Sequence, residues 1–399
     1  MRRPAILALV FACGTASAAA ADDPPFTSEA IFPAEQFHNH ASCVVEMPGG
    51  DLLATWYHGT GERTADDVVI EAAWLPKGSS KWGPRILIAD TPGYPDCNPA
   101  LFAGPDRSLW LFWPTILDHR WEGALLKFAV ARGDIPRTGP IPWAREGVIH
   151  MTPKGFAEDM EKAIADLKRG QPELDERVQK YLDVVSTRSK DELYQRLGWM
   201  PRVHVTVLPS GRWLLPLYSD TFSVSIVAIS DDTGATWVTS KPMIGFGNIQ
   251  PSIVRKDDGT LVAFMRENGP RRKIRMSTSK DDGKTWGPVT DSTFPNPGAG
   301  VEAIRLDNGH WALVYNDLER GRHSLALTIS DDEGATWKWT RHIERHEPGK
   351  GSYHYPSLLQ TADGAIHVTY TYGGTPAGSR IQHARFHEAW VRQGDQAPN

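Results

Sequence analysis

Five arginines (Arg63, Arg202, Arg266, Arg322, Arg380), five histidines and five tyrosines beside them, and a knot of carboxylates at Glu62, Asp66 and Asp67 supply the reactive groups of this chain. A planar guanidinium fork binds a carboxylate through two parallel charge-assisted hydrogen bonds. Imidazole titrates near neutrality and suits proton transfer, and a carboxyl in a cleft can give or take a proton. A phenol, with an ordinary pKa of about 10, needs a base or a strong field before it acts as a nucleophile at neutral pH. Converging on one cleft, these groups would suit a hydroxyl-rich ligand such as a glycan. Whether they converge depends on the elements that carry them.

An apolar strand, a turn carrying Gly or Asp and a second apolar strand recur six times, as ASCVVEMPGGDLLATWYHG, NPALFAGPDRSLWLFWPT, RVHVTVLPSGRWLLPLYSD, QPSIVRKDDGTLVAFMREN, VEAIRLDNGHWALVYND and YPSLLQTADGAIHVTYTYGG. Between copies stands the octapeptide S-x-D-x-G-x-T-W, at 230–237, 279–286 and 330–337, its tryptophans 49 and then 51 residues apart, with worn versions at 78–84 and before Trp143. A period of about 50 residues suits one four-stranded propeller blade. The expected fold is all-β, a single six-bladed β-propeller over 22–399, its last blade closed by a strand near Ile31. In the octapeptides the Asp and Ser/Thr side chains bond backbone N–H groups, Gly takes a positive φ, and Trp237, Trp286 and Trp337 are expected to be buried between blades. The rhythm breaks at 144–199, where Phe156, Met160, Ile164 and Leu167, then Leu174, Val178, Tyr181, Leu182 and Val185, follow helical spacing. This predicts a helical hairpin inserted between blades two and three.

Strand direction then selects a face. If each first strand leaves one face, the second returns to it, so first-strand starts, second-strand ends and the following loops share that face. These positions hold His38, His40, Tyr57, His58, Asp96, Asn98, Trp113, Arg202, His204, Tyr218, Asp220, Asn248, Gln250, Arg266, Asn268, Glu302, Tyr315, Asp317, His354, Tyr355 and Tyr372, with Glu62, Arg63, Asp66, Asp67, Arg322 and Arg380 in loops. The helical insertion emerges on the same face, beside the mouth.

Composition narrows the function. A formal net charge of −5 gives no electrostatic argument for nucleic acid. The start MRRPAILALVFACGTASAAAADD has the layout of a cleaved secretory signal over 1–21, which predicts export to the periplasm or beyond. No later run is apolar for long enough to span a bilayer. Cys43 and Cys97 remain after cleavage, as a pair or as free thiols, and no zinc-type spacing or other cofactor signal is present.

The repeats and their octapeptides resemble the sialidase (neuraminidase) superfamily, whose six-bladed propellers carry the same Asp-box, or BNR, repeat. The resemblance covers nearly the whole mature chain except 144–199. It implies that Tyr355, nine residues before Gly364 in YPSLLQTADG, is the nucleophile, and that Arg266 in LVAFMREN and Arg322, eight residues before Ser330, bind a substrate carboxylate. It also exposes departures. His40 stands where the family has its first arginine, and Gln250 stands where the family's glutamate assists the tyrosine. The acid/base aspartate falls among Glu62, Asp66 and Asp67, with Arg63 nearby. Arg202, Asn98, Asn268 and Asp317 complete the expected substrate-binding set. A carboxylated sugar is the expected partner, and two chemistries remain open. One is an exo-sialidase-like hydrolysis through Tyr355. The other is a lyase β-elimination, in which His40 takes a proton α to a uronate carboxylate and Tyr355 protonates the leaving oxygen. A glycan-binding propeller without turnover is the third reading.

Overall fold

The computed structural model describes residues 26–395, so the expected leader over 1–21 lies outside the described residues. Six antiparallel sheets follow one another around an axis. Blade 1 comprises His38–Glu46, Leu52–Gly59, Val69–Leu75 and Ile86–Ala89, and blade 2 comprises Ala100–Ala103, Leu109–Ile116, Ala124–Ala131 and Arg145–Val148. In blade 3 the inner strand is split into Trp199–Pro201 and Thr206–Val207, followed by Trp213–Ser219, Val224–Ser230 and Val238–Thr239. Blade 4 holds Asn248–Arg255, Leu261–Glu267, Lys273–Ser279 and Thr290–Pro295, and blade 5 holds Glu302–Arg305, Trp311–Tyr315, Ser324–Ser330 and Trp339–Arg345. Blade 6 (Ser352–Gln360, Ile366–Thr375, Gly378–Phe386) takes its outermost strand from the chain start, Phe26–Ala30, in register from Phe26 opposite Phe386 to Ala30 opposite Gln382. The ring therefore closes with a sheet built from both ends of the described chain.

Alternation along the strands explains the packing. Inward-facing residues of adjacent blades interdigitate, so apart from one cluster around the axis the apolar clusters lie between neighbouring blades: Val254, Val262 and Phe264 of blade 4, for example, meet Val301, Trp311 and Leu313 of blade 5. The three octapeptides fold alike. Ser230 donates to Asp232 at 2.8 Å and accepts from Gly234 N at 2.8 Å, while Asp232 accepts from Thr236 N and Oγ1 at 2.8 and 2.6 Å. The same bonds recur around Asp281 and Asp332. Gly234, Gly283 and Gly334 have φ of 81°, 83° and 82°, and a Cβ at Gly234 would run into the Trp110 ring. Their tryptophans are half-buried rather than buried. Each lies on the preceding blade, Trp237 against Phe112 and Trp337 against Phe264 and Phe294, so one edge stays at the surface.

Between blades 2 and 3 lie three helices, α1 (Phe156–Gly170), α2 (Glu176–Ser189) and α3 (Glu192–Arg196). The predicted break at 144 begins too early, because Arg145–Val148 is the outer strand of blade 2. Phe156, Met160, Ile164, Leu182 and Val185 are buried in one cluster with Trp199, Phe222 and Leu217 of blade 3. The insertion thus shares the propeller's core, and Tyr181 of α2 donates to the Phe222 carbonyl at 2.8 Å in the loop after the second strand of blade 3. Cys43 and Cys97 are both buried and free.

Candidate active site

One backbone device is repeated at the inner-strand starts. Ala41, Asn98, Val203, Gln250 and Tyr355 have φ of 55°, 43°, 62°, 56° and 47°, a left-handed conformation that strains residues with a Cβ by about 1–3 kcal/mol each. In blades 1, 4 and 6 the pairing register shifts across this residue, which marks a β-bulge. A bulge re-aims the side chain it carries. Two residues further on, the side chain reaches the next blade: Ser252 Oγ accepts from Ala303 N at 3.0 Å, Ser357 Oγ from Val44 N at 3.2 Å, and Cys43 Sγ from Leu101 N at 3.3 Å, while in blade 5 Glu302 accepts from Leu358 N at 2.6 Å. These bonds fix the inner strands and hold the bulges in place.

Tyr355 and Gln250, themselves bulge residues, meet at the axis. Tyr355 Oη accepts from Gln250 Nε2 at 3.1 Å and from Arg266 Nη1 at 2.9 Å. Asn268 Oδ1 holds the other Arg266 nitrogen at 3.2 Å. Two donors on one phenol oxygen stabilise negative charge there, yet an amide cannot take up its proton. His40, buried, packs on the tyrosine with ring centroids 4.5 Å apart. Burial, then the charges of His354, His38, Arg322 and Arg202, push its pKa well below the usual imidazole range. At neutral pH it is a free base.

Arg322 stands beside this pair, donating to His354 Nδ1 at 2.5 Å and to the Gly298 carbonyl at 2.6 Å. His354 must accept, so it is neutral and passes its Nε2 proton toward Ser352 Oγ at 2.7 Å. Burial, then Arg322, His38 and Arg266, lower its pKa to about 3. On the blade 1 side, Tyr57 Oη donates to Glu62 Oε1 at 2.7 Å and is 3.2 Å from His38 Nε2. Gly300, not anticipated from the sequence, makes room for the ring: a Cβ there would lie 2.8 Å from Tyr355 Cδ1. Its only signal was the small-residue run GAG at 298–300.

Other expected site residues are placed elsewhere. Arg202 is buried under the tyrosine ring, 5.0 Å from its centroid, with both terminal nitrogens on the carbonyls of Ser42 and Pro356 at 3.1 and 2.8 Å. Buried there, with Nε unpartnered, it braces the inner strands of blades 1 and 6 beneath the ring. Asn98 is buried and donates to Tyr218 Oη at 3.2 Å. Asp317 turns outward to His342 Nε2 at 2.7 Å. Asp67 holds its own loop through Thr60 N and Oγ1 at 3.1 and 2.8 Å, and Asp66 meets His119 at 2.5 Å on the surface. Of the three loop acids only Glu62 turns toward the tyrosines. Arg63 lies over the Trp121 ring at 5.2 Å and bonds Glu62 at 3.3 Å, at the rim. His204, half-buried, pairs with the buried Glu302 at 2.6 Å. Burial opposes charge on His204, but Cys43 and Glu302 outweigh it and raise its pKa well above the usual value.

The BNR repeat-like domain matches residues 199–368. A sialidase of Micromonospora viridifaciens is 25% identical over 177 residues, which is 42% of this chain and 26% of that protein. An anhydrosialidase of Macrobdella decora is 26% identical over 181 residues, 40% of this chain and 23% of that protein. The match thus spans about a quarter of the length of these relatives. A sialidase structure from Streptococcus pneumoniae, at 12% identity, superposes with a TM-score of 0.67 over 92% of this chain and 71% of that one. With its repeats and its six blades, the chain is a six-bladed β-propeller that carries a BNR repeat-like domain over 199–368 and is similar in fold to the sialidases.

Proposed function

We propose that the protein is an exported glycan-active enzyme that binds a terminal carboxylated sugar between Arg266 and Arg322 and cleaves its glycosidic bond over Tyr355. The observation that carries this reading is the Tyr355 hydroxyl seated between Arg266 Nη1 and Gln250 Nε2, at 2.9 and 3.1 Å, with Arg322 beside it. A phenol oxygen held by donors is suited to attack an anomeric carbon, with the neutral His40 in ring contact available for its proton. The sialidases similar to this chain support hydrolysis of an acidic sugar such as a sialoside. One observation favours β-elimination as a second reading: the tyrosine's partner is an amide, Gln250, whereas His40 is a base already in its neutral form.

Purified protein incubated with sialosides and with uronate-containing glycans separates the two. Hydrolysis yields free acidic sugar without absorbance near 235 nm, and elimination yields the unsaturated product that absorbs there. Tyr355→Phe should lower either activity by about 10²-fold or more, since general acid–base and nucleophilic groups contribute at least that much. Binding of an acidic glycan with neither product would leave the propeller as a lectin and refute the enzymatic reading.

A further inference from the structure

Cleavage of an unactivated glycosidic bond needs a proton for the departing oxygen. The loop acids of blade 1 are engaged: Glu62 with Tyr57 and Arg63, Asp66 with His119, Asp67 with Thr60. Asp220 is different. It opens the turn that follows the second strand of blade 3, Trp213–Ser219, two residues beyond Tyr218. Tyr218 packs in the axial cluster with Tyr355 and Ile249. The Asp220 side chain is half-buried, and among the described residues it makes no hydrogen bond or ion pair. Charged and titratable groups face it from every side: Arg266 from blade 4, Glu62 and Arg63 from the blade 1 loop, Glu122 from blade 2, Tyr181 from α2 and Tyr218 from its own strand. Burial, with Arg266 and Arg63 opposing and Glu62 and Glu122 reinforcing, lifts its pKa to about 6.

We infer that Asp220 is the acid and base of the glycosidic step, an inference that rests on the hydrolytic reading above. In the first half, the protonated carboxyl gives its proton to the glycosidic oxygen as the carbon–oxygen bond breaks and its electron pair goes to that oxygen. Tyr355 Oη bonds to the anomeric carbon and its proton passes to His40. In the second half, a water oxygen attacks that carbon and loses a proton to the Asp220 carboxylate. The tyrosyl–carbon bond breaks, its electrons return to the phenol oxygen, and His40 returns the proton. A carboxyl that is still partly protonated near pH 6 suits the first half, and its conjugate base suits the second.

The test compares wild type and Asp220→Asn on an alkyl α-sialoside and on the 4-nitrophenyl α-sialoside, whose phenol leaves with little need of a proton. The expected result is a loss of about 100-fold or more in kcat/KM on the alkyl substrate, and under about 10-fold on the nitrophenyl one. Wild-type kcat/KM on the alkyl substrate should fall as pH rises through about 6, and that limb should be absent with the nitrophenyl substrate. The wild-type comparison needs no variant, so it decides the matter even if Asp220→Asn does not fold, and Asp220→Glu should restore part of the alkyl activity. Equal losses on both substrates, or the same pH limb on both, overturn the role of Asp220 alone. A wild type that hydrolyses neither overturns the hydrolytic reading itself.

Discussion

At the scale of single residues, the contest is between groups that face the ligand and groups that hold those that do. Arg266 and Arg322 each keep guanidinium N–H groups beyond the two that Tyr355, Asn268, His354 and Gly298 occupy. Arg→Lys at either position keeps the charge but removes the fork, and a hydrogen bond to a charged group is worth about 1.5–3 kcal/mol. Affinity or turnover for the acidic sugar should fall about 10- to 150-fold, whereas the analogue with its carboxylate reduced to an alcohol should bind weakly and respond little. Equal losses on both ligands in titration calorimetry would make the two arginines structural. Tyr355, Gln250, Arg266, Arg322 and His40 could be located from the sequence because each is tied to a hairpin glycine or an octapeptide by a fixed count. Arg202 could not. Val203, at φ 62°, turns the chain so that the arginine runs beneath the tyrosine, and nothing in RVHV announces a left-handed valine. The loop acids were equally opaque, since the nine-residue loop 60–68 allows any of them to point inward until its internal bonds are known.

At the scale of elements, repeats were legible where they bury a face and obscure where they do not. The inner hairpins carry long apolar runs, whereas the outer strand REGV of blade 2 is half charged and exposed, so it reads as part of the insertion that follows. The helices were legible by spacing, but their partners were not: Phe156 lies 4.8 Å from Phe222 and 5.8 Å from Trp199, ring to ring, in the core of blade 3. Phe156→Ala should therefore lower unfolding free energy by about 3–5 kcal/mol, as for a full core cavity. A surface decoration would lose far less, and urea denaturation distinguishes the two. Trp286 is the opposite case. Half-buried against the cluster of Leu214, Val227 and Leu261, it should lose about 2 kcal/mol on replacement by alanine, less than a buried tryptophan would.

At the scale of the whole molecule, stability depends on how blade 6 closes the ring, and its closure is titratable. Glu29 on the N-terminal strand, His383 on the next and His367 on the one after form a line across three adjacent strands, with nitrogen–oxygen and nitrogen–nitrogen separations of 3.3 and 2.9 Å and stacked imidazoles. Burial, then the charges of His383 and Arg385, holds the His367 pKa at about 3, against the opposing pull of Asp363, and burial lowers that of His383 despite Glu29. A histidine whose folded pKa lies below its unfolded value of about 6.5 binds fewer protons when folded. Its contribution is therefore complete above about pH 6.5 and is lost as pH falls toward 3, a window it shares with His354. His40 and His38, lowered by burial, add to that decline, whereas Asp220, raised to about 6 by burial, opposes it between about pH 6 and 3.8. His204, raised by Cys43 and Glu302 against burial, contributes fully below 6.5 and loses its effect only as pH rises through its folded pKa. The octapeptide carboxylates Asp232 and Asp332, held at about 2 by their bonds to Thr236 and Thr336, contribute above about 3.8 and fade only below it. Unfolding free energy from denaturant titrations should thus decline from pH 6.5 to 4, and His367→Gln, which carries no proton equilibrium, should make that decline shallower while leaving the slope below about pH 3 unchanged. A wild-type stability that is flat between pH 6.5 and 4, or a variant with an identical slope, would show that the ring's closure does not respond to these imidazoles.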